Sequence, residues 1–150
     1  MDRRAFLKAT GAAAAALALA RVPALAQGLE GENLANLEKG LQQALGKGFK
    51  DLTPSDAVKL TTPAIAESGA NVPAEVEVNL PASQVKAIHL FADQNPTPHI
   101  VAVSLMGASP YYASRVRLAQ TTAVRAVVET ADGKLLLASA STRVTVGGCG

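Results

Sequence analysis

The residue best suited to chemistry in this 150-residue chain is its single cysteine, Cys149, the next-to-last residue. It lies in the ending Gly147-Gly148-Cys149-Gly150, directly after a predicted strand that stops at Val146. Because glycine lacks a Cβ, we expect these four residues to form a flexible arm that reaches about 14 Å at about 3.4 Å per residue. A thiol on such an arm can enter a narrow channel that the body of a domain cannot.

The neighbours of Cys149 indicate what kind of thiol it is. A reactive low-pKa cysteine needs a helix N-terminus, a nearby cation or a second cysteine, and the sequence places none of these beside Cys149. The C-terminal carboxylate, one residue away, disfavours the thiolate. In an oxidising compartment an exposed free thiol pairs or oxidises unless it has a use. We therefore expect a covalent carrier that partner enzymes activate, with no catalytic residue of its own.

Metal and cofactor chemistry has little support in the sequence. There is no phosphate-binding loop, no Gly-x-Ser-x-Gly and no His-Glu-x-x-His motif. A copper site needs a ligand loop around its cysteine, and only Gly150 follows Cys149. His89 and His99 are better explained as strand residues with satisfied hydrogen bonds. We predict neither a metal nor a cofactor.

Three arginines form the remaining candidate site. Arg115 and Arg117 alternate along one predicted strand, and Arg125 lies on the next. They indicate either an anion- or partner-binding face or, more simply, a solvated sheet face.

Residues 1–26 have the features of an export signal. Arg3 and Arg4 precede an alanine-rich apolar run, and the segment ends at 24–26 in a small-x-small cleavage signal. The paired arginines, followed by Phe6-Leu7-Lys8, resemble the twin-arginine signal that exports folded proteins from the bacterial cytoplasm. We therefore expect a twin-arginine signal peptide at 1–26 and a periplasmic mature protein.

The net positive charge of the chain comes from this predicted signal. The whole chain has a formal charge of +2, and residues 27–150 alone have 10 basic and 11 acidic residues, a net charge of −1. Without the signal the chain has no excess of positive charge, so its charge gives no reason to expect a nucleic-acid partner. The apolar run at 9–20 is too short to span a bilayer, so no membrane partner is expected either.

Hydrophobic periodicity predicts the elements that must position the tail. Apolar residues at helical spacing predict a helix over Asn33–Lys47, and beyond Pro54 the pattern changes to short strands. The dipeptide Asp132-Gly133 predicts a tight hairpin turn. The predicted strands are Val58–Thr61, Glu75–Leu80, Val85–Ala92, Ile100–Met106, Ser114–Ala119, Ala123–Thr130, Lys134–Ala138 and Arg143–Val146.

This pattern predicts an all-β fold, an immunoglobulin-like antiparallel β-sandwich with a short N-terminal helix, and a small barrel as the alternative. The predicted organisation is a signal peptide at 1–26, the helix and sandwich at 27–146, and the carrier arm at 147–150.

The tail, taken together with three other stretches, resembles the SoxY family, the sulfur-carrier subunits of the periplasmic thiosulfate-oxidising Sox system. Those stretches are 63–69 followed by Val72-Pro73, then Asn95-Pro96, and then 115–119. One departure is that many members end in two glycines after the cysteine, whereas this chain has only Gly150.

The resemblance implies a cycle on Cys149, with Gly147, Gly148 and Gly150 as its arm. A haem c-containing enzyme joins thiosulfate oxidatively to the thiol, and a metal-dependent hydrolase then releases sulfate. A sulfane dehydrogenase oxidises the remaining sulfur, or the sulfur is passed on. The implied permanent partner is SoxZ, a small β-sandwich protein exported with the carrier as a folded heterodimer.

Two other functions remain open from the residues alone. A small thiol oxidoreductase would normally have a second cysteine or a nearby base, and this chain shows neither beside Cys149. An exported assembly or adhesion protein could instead use Cys149 to crosslink subunits.

Overall fold

The computed structural model describes residues 29–147, which fold as two packed β-sheets with one helix on the outer face of the larger sheet. The predicted all-β sandwich is confirmed. The predicted signal peptide and three of the predicted site residues, Gly148, Cys149 and Gly150, lie outside the described residues. The elements are α1 (Leu34–Leu45), β1 (Thr53–Pro54), β2 (Val58–Thr61), β3 (Ile65–Ser68), β4 (Val72–Val78), β5 (Val85–Ala92), β6 (His99–Ser104), β7 (Tyr111–Val116), β8 (Thr122–Thr130) and β9 (Leu135–Val146).

The larger sheet has the strand order β1-β9-β8-β5-β6, and β3 also pairs with β9. The smaller sheet has the order β2-β4-β7. Their facing side chains form the main core, and β4 alternates strictly between buried and exposed residues, as a strand with one solvated face must. Strands β5 and β8 are almost wholly buried, because their second face is covered by α1 and the segment after it.

Helix α1 begins and ends at residues suited to those positions. The Asn33 side chain accepts a hydrogen bond from the backbone N–H of Asn36 at 3.2 Å, and Gly46 ends the helix in the left-handed conformation with φ 67°. Leu37 and Leu41 are fully buried in a second apolar cluster on this face of the sheet. Burial of each leucine side chain contributes about 1.5–3 kcal/mol to holding the helix there.

The structure differs from the predicted strands mainly at β9. The predicted strands Lys134–Ala138 and Arg143–Val146 are one continuous strand, because residues 139–142 pair in register with β8. Short strands β1 and β3 were not predicted, and both pair parallel with β9, so the sandwich is not purely antiparallel. The chain forms two separate sheets rather than the alternative small barrel.

Two predicted features agree closely with the structure. Strands β2 and β5 have the predicted bounds, and the Asp132-Gly133 turn joins β8 to β9 with Gly133 at φ 88°. Strand β7, in contrast, ends at Val116, so residues 117–119, which were predicted to be in a strand, lie outside it. Among residues 29–147 no helix is long and apolar enough to cross a bilayer.

Candidate functional site

Strand β9 leads the chain to Gly147, the last described residue and the first glycine of the predicted arm. Gly147 is exposed on one side, but on the other it approaches the carbonyl oxygen of Ala119 so closely that a Cβ would overlap that oxygen. The glycine at 147 therefore has a steric reason as well as a conformational one. Any freedom of the tail has to come from the residues beyond it.

Backbone hydrogen bonds join three chain segments beside Gly147. The N–H of Gly69 donates to the carbonyl of Val146 at 2.7 Å, and the carbonyl of Gly69 accepts from the N–H of Leu118 at 2.7 Å. The parallel pairing of β3 with β9 places Gly69 there, since Ser68 lies opposite Val146. We call the cluster of Gly69, Leu118, Ala119, Val146 and Gly147 the tail root.

The side chain of Asn95 fixes the segment that contacts Gly147. Asn95 is 3% exposed; its Nδ2 donates to the carbonyl of Arg117 and its Oδ1 accepts from the N–H of Ala119, both at 2.9 Å. Residues 117–119 follow the end of β7, and these two bonds take the place of the hydrogen bonds that a neighbouring strand would make to them. The loop that bears Asn95 is itself tied to α1, because Asn36 Nδ2 donates to the carbonyls of Asp93 and Asn95 at 2.6 and 2.8 Å.

The three stretches that carry the family resemblance meet at this one place. The first supplies Gly69, the second supplies Asn95, and the third supplies the backbone from Arg117 to Ala119. Sequence reasoning did not bring them together, because their contacts join residues 22 to 24 positions apart or more. Two features of the sequence could have indicated these contacts: Gly69, directly after the short strand β3, and the Asn95-Pro96 turn.

The tail root can position a chain but has no side chain for acid, base or metal chemistry. Its members are glycine, leucine, alanine and valine, none of which exchanges a proton or ligates a metal. Within the part of the chain that the structure describes, no group of three or more His, Cys, Asp and Glu residues is arranged to hold a metal ion.

The two histidines lie on the face of the larger sheet that α1 partly covers. His89 Nδ1 is 3.2 Å from His99 Nε2, and His89 Nε2 is 3.1 Å from Glu129 Oε2. Burial, and secondly the neighbouring His89, lower the pKa of His99 below its usual value. The histidines are strand residues with hydrogen-bond partners, as expected from the sequence.

The three arginines do not share one face, so their grouping was wrong. Arg115 and Arg117 are exposed beside the smaller sheet, whereas Arg125 lies on β8 in the larger sheet and is fully buried. Its Nε and Nη2 donate to the two carboxylate oxygens of Asp93 at 3.2 and 2.8 Å, and Nη2 also contacts Glu32 at 3.3 Å. Sequence spacing could not reveal this, because Asp93 reaches Arg125 from a loop 32 residues earlier.

The sequence matches a model of the SoxY sulfur oxidation protein family over residues 42–149. The fold is similar to that of the sulfur carrier protein SoxY from Chlorobium limicola f thiosulfatophilum, with a TM-score of 0.63 and 27% identity, covering 75% of this chain and 98% of that one.

More distant structures share only the fold. They include a superoxide reductase (neelaredoxin) from Ignicoccus hospitalis, with a TM-score of 0.55 and 15% identity over 65% of this chain and 99% of that one. A putative superoxide reductase from Thermotoga maritima has a TM-score of 0.54 and 15% identity over 65% of this chain and 98% of that one. A comparison with curated protein sequences finds no match. Because the family match spans well over half of the chain and includes both the tail root and Cys149, the chain belongs to the SoxY family of sulfur oxidation proteins.

Proposed function

We propose that this protein carries intermediates of thiosulfate oxidation as covalent adducts of Cys149 and leaves catalysis to partner enzymes. The observation that supports this most is the position of the only cysteine, two residues beyond a root that backbone hydrogen bonds hold in place. At about 3.4 Å per residue, Cys149 reaches about 7 Å beyond Gly147. The root itself supplies no acid or base, so activation of the thiol has to come from the enzyme that receives it.

The proposed cycle changes only the sulfur of Cys149. Loading forms a bond between Cys149 Sγ and the outer sulfur of thiosulfate, and it releases one proton and two electrons to a haem c-containing enzyme. A hydrolase then breaks the bond to the sulfonate, so that the oxygen of water leaves in sulfate and a proton remains on the sulfane sulfur. A sulfane dehydrogenase oxidises that sulfur further, or the sulfur passes to an acceptor.

The proposed setting is the periplasm, reached by the twin-arginine route through residues 1–26. The proposed permanent partner is a SoxZ-like β-sandwich subunit. A twin-arginine signal suits such a pair, because that route exports proteins already folded and one signal can serve both subunits.

Intact-mass spectrometry tests this proposal. The mature protein is purified without reductant from thiosulfate-grown cells that express it. We expect reducible adducts on Cys149, including one S₂O₃ unit in place of a hydrogen. The matched variant Cys149→Ser should have no adduct and should fail to support thiosulfate oxidation, while its circular dichroism stays unchanged.

Two results would contradict the carrier function. If a disulfide dimer is the only modified form, Cys149 serves assembly. If the isolated protein turns over a small thiol or peroxide substrate without a stable sulfur adduct, it is a thiol oxidoreductase.

A further inference from the structure

Two histidines and a glutamate form a chain of hydrogen bonds across three neighbouring strands of the larger sheet. His89 on β5 is buried and lies between the other two residues. Its Nδ1 is 3.2 Å from Nε2 of His99 on β6, and its Nε2 is 3.1 Å from Oε2 of Glu129 on β8. Glu129 and His99 are only partly buried, so water reaches both ends of the chain. We call His89 and His99 the histidine pair.

The contact between the two rings depends on how many protons the pair holds. A neutral imidazole has one N–H donor and one acceptor nitrogen, whereas an imidazolium has two donors and no acceptor. One ring must therefore supply an acceptor for a hydrogen bond to join His89 Nδ1 to His99 Nε2. When both rings are charged, two N–H groups and two positive charges face each other at 3.2 Å, and the contact has to break.

His99 is the ring that can move when this contact breaks. His89 is 6% exposed on β5, which is paired on both sides, with β6 and with β8. His99 is the first residue of the edge strand β6, at the point where the register with β5 shifts. Burial, and secondly His89, lower the pKa of His99, so His99 takes up a proton only below its usual value of 6.5.

The other charged residues of the elements packed around His99 do not offset a charge on it. They are Lys86 on β5, Asp93 in the loop before β6, Arg125 on β8, and Glu38 and Lys39 on α1. Asp93 and Arg125 bond to each other, and both lysines are exposed. Glu38 accepts a hydrogen bond from the N–H of Phe49. Glu129 bonds to His89, so it stabilises one positive charge on the pair and leaves a second one without a partner.

His99 is joined directly to the loop that fixes the tail root. Residues 93–98 connect β5 to β6 and include Asn95. The N–H of Ala92 donates to the carbonyl of Pro98 at 2.9 Å, and the Pro98 ring is buried against α1. Two of the six residues in this loop are prolines, whose fixed φ leaves the loop little freedom to absorb a shift at its end. A displacement of His99 therefore moves the loop and Asn95 with it.

We propose that the histidine pair is a pH-sensitive latch: it holds Asn95 against the tail root while the pair has at most one positive charge, and a second proton, taken up in mild acid, releases it. Asn95 Oδ1 accepts from the N–H of Ala119, and Ala119 lies against Gly147, so release loosens the support of the tail. The protons that the proposed cycle produces are one source of such acid. The latch does not depend on that cycle, because all of its groups lie in the sandwich.

Hydrogen exchange followed by NMR tests the latch on the mature chain, with Cys149→Ser to prevent disulfide-linked dimers. The measured quantity is the protection factor of the Ala119 N–H, compared at about pH 8 and about pH 5, the range in which histidine titrates. At about pH 5, about 1.5 units below the ordinary pKa of histidine, preferential proton uptake by the released form raises its population by up to about thirtyfold. We therefore expect the protection of Ala119 to fall by about tenfold or more.

Two other amides show that the opening is local. The N–H of Ala108 donates to the carbonyl of Leu105 at 2.8 Å in the turn at the other end of β6, and its protection should not change. Val76 lies on the central strand of the smaller sheet and reports global unfolding. The protection of Val76 should stay above that of Ala119 at both pH values.

His99→Gln separates the effect of charge from that of packing. The glutamine N–H can still donate to His89 Nδ1 but takes up no proton, so the protection of Ala119 should no longer depend on pH. Ala102→Gln introduces the same residue at an exposed position of β6 and is the matched control, which should keep the full pH dependence. Circular dichroism checks that each variant is folded.

The unsubstituted histidine pair by itself can overturn the proposal. It does so if the protection of Ala119 changes by less than about twofold, if Ala108 changes equally, or if Ala119 is as well protected as Val76. The proposal is also overturned if His99→Gln keeps the pH dependence or if Ala102→Gln loses it.

Discussion

Replacing Asn95 by alanine is expected to loosen the tail root and to lower the free energy of unfolding. The Asn95 amide makes two hydrogen bonds of 2.9 Å, one to the carbonyl of Arg117 and one from the N–H of Ala119. Alanine would leave both backbone groups without that partner. An unsatisfied buried polar group costs about 1–3 kcal/mol. Because Arg117 is exposed and Ala119 only partly buried, water can reach these groups. Water access reduces the cost of leaving the two groups without their partner, so we expect the free energy of unfolding to fall by about 2–4 kcal/mol in total.

Urea unfolding followed by circular dichroism measures this loss, with linear extrapolation to water. Asn95→Asp should be at least as damaging, because it keeps the acceptor for Ala119 and places a second acceptor against the carbonyl of Arg117. Asn71→Ala is the matched control: Asn71 is exposed, and its loss should change stability by less than about 0.5 kcal/mol. If Asn95→Ala lowers the free energy of unfolding by less than about 1 kcal/mol, the error of the extrapolation no longer separates it from the control. That result would refute the assigned role of Asn95.

Three further perturbations probe other contacts. Gly147→Ala should cost about 1–3 kcal/mol in thermal unfolding, because the new Cβ forces the backbone away from the Ala119 carbonyl; an unchanged Tm would contradict this contact. Asp93→Asn should lower the free energy of unfolding in urea by about 3 kcal/mol, the lower end of the cost of breaking a buried ion pair, since it removes the bidentate carboxylate of the buried Arg125 and leaves only Glu32 at 3.3 Å; a near-neutral effect would count against the buried ion pair. The pKa of His99 is lowered in the folded protein, so the unfolded state binds more protons just below pH 6.5, and stability should decline as pH falls from 6.5 toward the lowered pKa. His99→Gln should reduce that pH dependence, and an identical profile in the variant would show that another group causes it.

The sequence predicted strands well where hydrophobic alternation alone determines them, as in β5, whose bounds are confirmed. It divided β9 in two because Ser139, Ser141 and Thr142 are polar. In the structure these residues stay in the strand because their hydroxyl groups meet polar partners from distant segments. Ser139 accepts a hydrogen bond from Arg125 at 3.1 Å, and Thr142 donates to Thr62 at 3.0 Å. Local composition cannot reveal partners that lie 14 and 80 residues away.

The candidate site shows the same division between local and distant information. The expectation that Cys149 is the reactive residue needed only its type, its uniqueness and its position between glycines. The tail root could not be predicted, because its bonds are mostly between backbone groups, which leave little mark on residue type. Asn95 is the exception. Its buried amide makes hydrogen bonds to the backbone of Arg117 and Ala119, as a neighbouring strand would in a sheet.

The position of Gly147 also limits how the proposed carrier can be used. Since Gly147 lies against Ala119, the predicted arm loses its first residue, and the reach to Cys149 becomes about 7 Å of main chain instead of about 10 Å. An enzyme that reacts with Cys149 must therefore bring its reacting group close to the tail root and make contact with it. The accessible residues of the root are Val146, Gly147 and the partly buried Ala119, none of which has a charge that would repel an enzyme. A short tail on an uncharged root suits a carrier that several different enzymes must use in turn, and partner preference then has to come from charged residues further out, such as the exposed Arg117 and Glu67.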